Sequence, residues 1–355
     1  MRRRKIKRCF LLVLISTMPL FGCQNKDNQP IEQTTQSNTT ATTQVSLADS
    51  HIGQLQSPLT GRWVKEEIAM QRPIAIMINN IKQAQPQSGI AKADIVYECL
   101  VEGGITRLMA IIQNYKGIEK LGSVRSARHY YVQIAEEYDA IFAHYGQTKY
   151  AVAEIEKRGV DTLSGLSSIG DQIYYRDSSR VAPHNAYING EGIEKGIELH
   201  SYETKRSSQK QKFQFYKTTT TLKGEQASKV VLGYSNYTSP YFVYDEKRGV
   251  YDRFQYGEPQ IDDLTGKQLA YQNVIVQFVD ERDIDKNGYQ TMDLTSSGTG
   301  YYMTKGSYIP ITWEKKSDNG ITKYYNEKGL EIRLNTGKTW ISVFPNDRRQ
   351  GVTFE

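Results

Sequence analysis

Two arginines three positions apart, Arg125 and Arg128, are the residues best suited to binding chemistry. They lie where a loop is predicted to become a helix over residues 126–138, and the first N–H groups of a helix have no acceptor within the helix. Two guanidinium groups beside such N–H groups suit a phosphate or a carboxylate. The sequence therefore predicts an anion-binding site. The alternative is that both arginines pair with local acids, such as Glu136 and Glu137 or the carboxylates of a neighbouring hairpin.

The neighbouring hairpin is predicted from the glycines at positions 103 and 104. A two-residue glycine loop pairs Leu100 with Arg107, which places Glu98, Glu102 and Arg107 on one face. A salt-bridge network is one interpretation, and a single carboxyl group facing a cleft is the other. A glycosidase pair is excluded on distance, because four residues of strand separate the two carboxylates by roughly 13 Å, beyond the range of about 5 to 9.5 Å that such pairs use.

Two histidines extend this set of candidate ligand-binding residues. His144 ends a predicted strand, and His184 with Asn185 lies in a proline-containing loop. Strand ends and loops are where an α/β sheet collects its ligands. We therefore expect these residues to converge with Arg125 and Arg128.

The sequence predicts neither a metal site nor a cofactor. Two histidines are too few for zinc, and no HExxH or paired CxxC occurs. Asp177 and Glu98 could complete a metal site with the histidines only if the fold brings these residues together. The segment 283–288 matches the opening of a calcium loop, but Leu294 replaces the required glutamate. We predict a polar β-turn there.

The first 23 residues indicate where the protein is located. Six of the first eight residues are Lys or Arg, a short apolar stretch follows to Pro19, and Gly22 precedes Cys23. The apolar stretch is too short for a transmembrane helix and is typical of an export signal. The ending resembles the bacterial lipobox, so residues 1–22 are predicted to be removed and Cys23 to become a lipid anchor. The alternative is an ordinary secretory signal with a chance cysteine.

Removal of this signal changes the charge balance. Without its six cations, 45 basic residues become 39, equal to the 39 acidic ones. A neutral chain lacks the field that nucleic-acid-binding proteins use, so no nucleic-acid partner is predicted. Cys99 is then the one cysteine that is neither removed nor acylated. We predict that it is a small buried residue rather than a nucleophile.

Two predicted domains must position these residues. Residues 23–56 are polar and form a predicted disordered tether, because they bury too little apolar surface to fold. Residues 57–202 alternate strand and helix patterns, residues 203–214 form a polar linker, and residues 215–355 contain mostly short strands. The predicted fold class is α+β or α/β, with a mixed α/β domain followed by a β-rich domain. The clearest elements are strands at 73–79, 94–102, 105–113 and 140–145, and helices at 126–138, 147–158 (capped by Thr148, ending at Gly159) and from the cap Asn189 to His200.

Several motifs in this order resemble one family. They are RPIAIMINN (72–80), SGIAKADIVYECLVEGGITRLMA (88–110), GSVRSAR (122–128), HYG (144–146), APHNAY (182–187) and TWISVFP (339–345). Together they are similar to the YerB-type lipoproteins of Gram-positive bacteria. The resemblance implies an exported, lipid-anchored protein with two domains of unknown function. It brings no established reaction, so it assigns no catalytic residue.

These observations favour a binding or accessory module over an enzyme. We expect a protein anchored to the membrane through Cys23, on the extracytoplasmic face, that binds a cell-wall polymer or an envelope protein. Teichoic-acid phosphates and peptidoglycan carboxylates supply suitable anions. The alternative is a wall-directed hydrolase with Glu98 or Glu102 as acid and His144 or His184 as base.

Overall fold

The computed structural model describes residues 51–207 and 211–355. The predicted export signal, the lipid anchor at Cys23 and most of the tether lie outside these residues. The amino-terminal half alternates strands with helices, as its sequence pattern predicts. Its elements are β1 (Gln54–Gln56), β2 (Trp63–Lys65), α1 (Glu66–Ala69), β3 (Ile74–Asn79), β4 (Ile95–Val101), β5 (Ile105–Ile112), β6 (Leu121–Gly122), α2 (His129–Glu137), β7 (Ile141–His144), α3 (Lys149–Arg158), β8 (Thr162–Ser164), α4 (Gly170–Ile173), β9 (Tyr174–Arg176), β10 (Ala186–Ile188) and α5 (Gly190–His200).

The carboxy-terminal half consists of short strands. They are β11 (Gln214–Phe215), β12 (Glu225–Gln226), β13 (Lys229–Leu232), β14 (Tyr241–Asp245), β15 (Val250–Gln255), β16 (Glu258–Pro259), β17 (Ala270–Tyr271), β18 (Asn273–Val279), β19 (Glu281–Asp283), β20 (Gln290–Met292), β21 (Ser297–Thr304), β22 (Ser307–Glu314), β23 (Lys323–Tyr325), β24 (Arg333–Leu334), β25 (Thr339–Pro345) and β26 (Val352–Phe354). Short 3₁₀ turns lie at Lys82–Ala84, Ile90–Lys92, Glu102–Gly104 and Asn346–Gly351.

Local signals in the sequence set the ends of two helices. The Thr148 hydroxyl accepts from the N–H of Ala151 at 3.1 Å and caps α3, and Gly159 ends it with a φ of +61°. The Asn189 side chain accepts from the N–H of Gly192 at 2.8 Å and caps α5. Both predicted caps are confirmed, because capping depends on residues close together in sequence.

One large sheet joins strands of both halves. It has 11 strands in the order β12-β22-β21-β18-β25-β4-β5-β3-β7-β8, with β23 paired to β22. Near the end of the chain, β25 lies parallel to β4 on one side and to β18 on the other. The described residues therefore form one compact unit, and the predicted domain boundary at 203–214 stays a prediction. A second sheet of six strands, built on β13 to β17 and β26, belongs to the carboxy-terminal half.

A buried ion pair connects the two sheets. Glu98 in β4 and Arg253 in β15 are both fully buried. The Arg253 Nη2 lies 2.9 Å from both carboxylate oxygens of Glu98, and the Thr106 hydroxyl donates to one of them at 2.8 Å. The guanidinium also lies 4.3 Å from the ring centre of Trp340 and 4.9 Å from that of Phe242. The pair is thus enclosed by hydrogen bonds and aromatic faces.

A second buried charge cluster joins α2 to the carboxy-terminal half. The Glu137 carboxylate contacts the ammonium group of Lys212 and lies 3.0 Å from that of Lys315. It also accepts from the backbone N–H and the hydroxyl of Thr322 at 3.1 and 2.9 Å. All three charged side chains are almost completely buried. Although burial raises the pKa of Glu137, the two lysines bring it below its ordinary value.

The hairpin of β4 and β5 differs from the prediction. Val101 pairs with Ile105, so the loop has three residues, 102–104, and Leu100 pairs with Thr106 rather than with Arg107. Gly103 and Gly104 both adopt positive φ, at +77° and +70°. The prediction of a two-residue loop is wrong, and the slip of one residue places Arg107 on the face opposite Glu98.

None of the helices in residues 51–207 and 211–355 combines the length and the apolar character needed to span a membrane.

Candidate functional site

The candidate site lies at the carboxyl ends of β3 and β7 in the large sheet. These strands are parallel neighbours, and segment 123–127 inserts between their ends. The N–H of Asn79 donates to the carbonyl of Ser123 at 2.9 Å, the N–H of Arg125 to that of Met77 at 3.1 Å, and the N–H of Tyr145 to that of Arg125 at 3.1 Å. The carboxyl ends of parallel strands are where open sheets place their ligands.

This insertion also explains why α2 begins later than predicted. Residues 124 and 127 form bridges with Ile78 and Gln147, so the chain is extended until Arg128 and helical only from His129. The predicted start at residue 126 is wrong, because pairing with distant segments overrides the local helical pattern.

Four arginines and a histidine gather around the insertion, and we call them the arginine site: Arg107, Arg125, Arg128, Arg176 and His184. Burial lowers the pKa of Arg107 to about 10, and the charges of Arg128 and Arg125 add to the effect. Burial, Arg128 and Arg176 likewise lower the pKa of Arg125. Since like charges raise the cost of keeping each guanidinium protonated, a bound anion would stabilise the cluster.

The carboxylate of Glu102 enters the arginine site. Glu102 forms a two-pronged pair with Arg128, from Nε to Oε1 at 2.7 Å and from Nη2 to Oε2 at 2.5 Å. Although burial raises the pKa of Glu102, its contact with Arg128 brings it below the ordinary value. Arg107 donates to the carbonyl of Ser126 at 2.8 Å. Arg128 also donates to the carbonyl of Ala127 at 3.1 Å, so both arginines hold the inserted segment. Of the two predicted arginines, Arg128 is the one that pairs with a local acid.

Arg125 differs from these two arginines. Its Nη1 makes a long contact of 3.4 Å with the carbonyl of Pro183. Its Nε is buried, and within the described part of the chain it has no hydrogen-bond partner. A buried donor without an acceptor is uncommon and calls for one. Arg125 is therefore the guanidinium best placed to receive an anion.

The loop predicted to reach this site does so. The side-chain amide of Asn79 donates to Nδ1 of His184 at 2.8 Å. Burial and the charge of Arg125 lower the pKa of His184, which keeps the ring neutral at pH 7. Asn185 accepts from Arg176 at 2.8 Å, and the Arg176 guanidinium lies 4.4 Å from the ring centre of Tyr145. The structure thus brings the 184–185 loop to Arg125.

Arg176 and Asn79 were not predicted as site residues. Arg176 is the last residue of the short strand β9, whose pairing with β10 carries it to Asn185. No spacing in the sequence links it to the other arginines. Asn79 ends the buried strand β3, and a polar residue at that position was the available signal.

His144 lies below the surface rather than in the site. Its ring Nδ1 donates to the carbonyl of Gly146 at 2.9 Å, and its buried Nε2 has no partner among the residues described. Burial lowers the pKa of His144 to about 4, against the opposing hydrogen bond to Gly146. The ring is therefore neutral in the folded protein at pH 7.

This burial predicts a pH-dependent loss of stability. The unfolded chain protonates His144 near its ordinary pKa of 6.5, whereas the folded protein does so near 4. The neutral His144 ring destabilises nothing above pH 6.5. As the pH falls from 6.5, protonation of the unfolded chain lowers the free energy of unfolding, and this loss reaches about 3 kcal/mol near pH 4. We expect His144→Asn, which keeps a donor for Gly146 but does not titrate, to flatten this decline in urea unfolding from pH 7 to 4. Parallel curves for the two proteins would contradict the assignment.

The other predicted groups have partners or positions outside the arginine site. Glu98 is sealed against Arg253, so it does not face a cleft. Cys99 is fully buried, as predicted, and burial raises the pKa of its thiol. Asp177 pairs with Lys120 at 2.6 Å. Among the residues of the two described ranges, no three His, Cys, Asp or Glu side chains are grouped to hold a metal ion.

The loop that resembles a calcium site forms a β-turn. It joins β19 to β20, and the N–H of Gly288 donates to the carbonyl of Asp285 at 3.1 Å, which is the hydrogen bond of a β-turn. The Asp285 carboxylate accepts from the N–H of Asn287 at 2.9 Å. The predicted turn is confirmed.

The mixed α/β half and the strand-rich half each match a family model. Residues 59–203 match the N-terminal domain of a family described as "Protein of unknown function (DUF3048)", and residues 230–341 match its C-terminal domain. The chain belongs to this DUF3048 family. The predicted fold class, a mixed α/β region followed by a β-rich region, is confirmed.

Particular relatives support the same assignment. The chain is 35% identical over 297 residues to "Putative lipoprotein YerB" of Bacillus subtilis (strain 168), with 82% of this chain and 87% of the relative aligned. It also matches the crystal structure of the YerB protein from Bacillus subtilis with a TM-score of 0.76 and 31% identity, covering 85% of this chain and 99% of the other. The predicted resemblance to the YerB-type lipoproteins is confirmed.

Proposed function

We propose that this protein is a lipoprotein, anchored through Cys23 on the extracytoplasmic face of the membrane, that binds an anionic cell-wall polymer through the arginine site. The observation that supports this most directly is the buried, unpartnered Nε of Arg125. It lies in a cluster of four guanidinium groups in which, among the residues of the two described ranges, Glu102 is the one carboxylate that forms an ion pair. A phosphate or carboxylate group supplies the missing acceptor.

The rival hydrolase has less support from the geometry. Glu98 is fully buried against Arg253, and Glu102 is held in two contacts by Arg128. His144 is also buried. A general acid or base has to reach the bond that is broken, so these three side chains would first have to leave their present partners or surroundings.

Replacing Arg125 tests the proposed site. The purified full chain, kept in a non-ionic detergent, is incubated with Gram-positive sacculi, which are then pelleted. We expect Arg125→Ala to weaken sedimentation with the sacculi by about 10-fold or more, because a charge-assisted hydrogen bond contributes about 1.5–3 kcal/mol. The melting temperature should change little, since the Arg125 side chain makes one long contact with Pro183.

A matched variant controls for the loss of one positive charge. Arg333 is exposed and lies in β24, in the carboxy-terminal half, so Arg333→Ala removes the same charge away from the site. Equal losses in both variants would sink the proposal. Release of muropeptides into the supernatant would favour the hydrolase instead, and no binding to sacculi would favour a protein partner.

A further inference from the structure

A second cationic region lies at the opposite end of the strands of the large sheet, where β4, β18 and β25 begin. A cleft of about 880 Å³ opens there between segments of the two halves. Its size is within the range of pockets that hold small molecules. Its charged lining residues are five cations and one carboxylate: Arg62, Lys92, Arg248, Lys267, Lys338 and Asp94.

Lys338 is the cation fixed most firmly in this cleft. Its backbone N–H donates to the side-chain oxygen of Gln272 at 2.7 Å, and its ammonium group donates to the carbonyl of Ala91. Burial lowers the pKa of Lys338; the carboxylates of Asp94 and Asp262 oppose this shift, and the charges of Arg62 and Lys92 reinforce it. Asp94 is itself engaged, because its carboxylate accepts from the N–H of Gln113 at 2.8 Å. Asp262 is engaged in the same way, since it accepts from the N–H of Ala91 at 2.9 Å. Both carboxylates therefore share their charge between Lys338 and backbone N–H groups.

The remaining cations differ in how they are paired. Arg248 contacts the carboxylates of Asp245 and Asp252, so its charge is neutralised. Arg62, Lys92 and Lys267 are exposed, and within the described ranges none of them forms an ion pair with a carboxylate. Three cations without an ion pair in the described ranges thus line the same cleft as Lys338.

We propose that this cleft is a second anion site, independent of the arginine site, that binds a chain of phosphate groups. Lysine ammonium groups act as point charges and suit phosphate, which does not require a planar, two-pronged partner. Several cations spread over one cleft suit a ligand with several phosphates better than a single carboxylate. Phosphodiester wall polymers and inorganic polyphosphate share this chemistry.

The test uses calorimetric titration of the full chain in an Arg125→Ala background, which weakens binding at the arginine site. Inorganic triphosphate is the first probe, and citrate serves as a polycarboxylate of similar charge. We expect triphosphate to bind with one site per chain and citrate to bind at least about 10-fold more weakly. Poly(glycerol phosphate) is titrated in parallel, and the tighter of the two phosphate probes identifies the source of the ligand.

Two double variants with equal charge separate the cleft from general electrostatics. Lys92→Ala with Lys267→Ala removes two cations of the cleft, and we expect triphosphate affinity to fall by about 10-fold or more. Lys195→Ala with Lys328→Ala removes two exposed lysines elsewhere and should leave affinity unchanged. Equal losses in both variants, or equal binding of citrate and triphosphate, would overturn the proposal. If Arg125→Ala does not weaken sedimentation with sacculi, the proposed function fails, but the triphosphate result for the cleft still stands.

Discussion

Replacing Arg253 by methionine is expected to lower the free energy of unfolding by about 3–5 kcal/mol, because it leaves the carboxylate of Glu98 buried without a counter-charge. Both side chains are fully buried, so water cannot replace the lost contacts. The variant also loses the packing of the guanidinium between Trp340 and Phe242. Urea unfolding at pH 7, followed by tryptophan fluorescence, measures the loss.

A double variant distinguishes the uncompensated charge from the loss of packing. Glu98→Gln combined with Arg253→Met removes both charges, and we expect it to be more stable than Arg253→Met alone. Arg333→Met, on an exposed residue, should stay within about 0.5 kcal/mol of the parent protein. If the double variant is no more stable than the single one, packing rather than charge accounts for the effect.

Replacing Glu137 by glutamine is expected to destabilise the protein by a similar amount, about 3–5 kcal/mol at pH 7. Glutamine keeps the shape of the side chain but leaves Lys212 and Lys315 buried without their shared carboxylate. Urea unfolding of the parent protein and of Glu137→Gln gives the difference. Glu156→Gln, on an exposed residue of α3, removes the same charge and should have little effect.

The difference between the parent protein and Glu137→Gln should also depend on pH. The folded pKa of Glu137 lies below its ordinary value, so the ionised carboxylate stabilises the fold above that ordinary value. Its contribution is lost as the pH falls through the folded pKa. The difference should therefore be largest near neutral pH and should shrink in acid. A constant difference across this range would refute an ionic role for Glu137.

The sequence predicted those parts of the fold that depend on neighbouring residues. The caps Thr148 and Asn189, and the buried strand β3, follow from patterns of a few residues. The start of α2 and the hairpin register were mispredicted. In the first case residues 124 and 127 pair with Ile78 and Gln147, and in the second a three-residue loop replaces the two-residue one.

Candidate site residues were predictable where chain topology brings them together. The 184–185 loop meets the carboxyl ends of β3 and β7, which is why Arg125 and His184 lie close together. The partner of Glu98 was not predictable, because Arg253 is 155 positions away in a half of the chain that the sequence suggested was separate. Arg176 was missed for a related reason, since it reaches the site only through the pairing of β9 with β10.

The position of β25 in the chain determines when the large sheet can be completed during synthesis. Residues 339–345 supply the strand between β4 and β18, and they are made after both of these strands. Until they arrive, the hydrogen-bonding edge of β4 has no neighbour on that side, and open edges of this kind recruit other strands. A shortened chain that lacks this strand would therefore expose unpaired backbone groups of β4 and β18 to other chains. Insertion of β25 between them thus completes the large sheet.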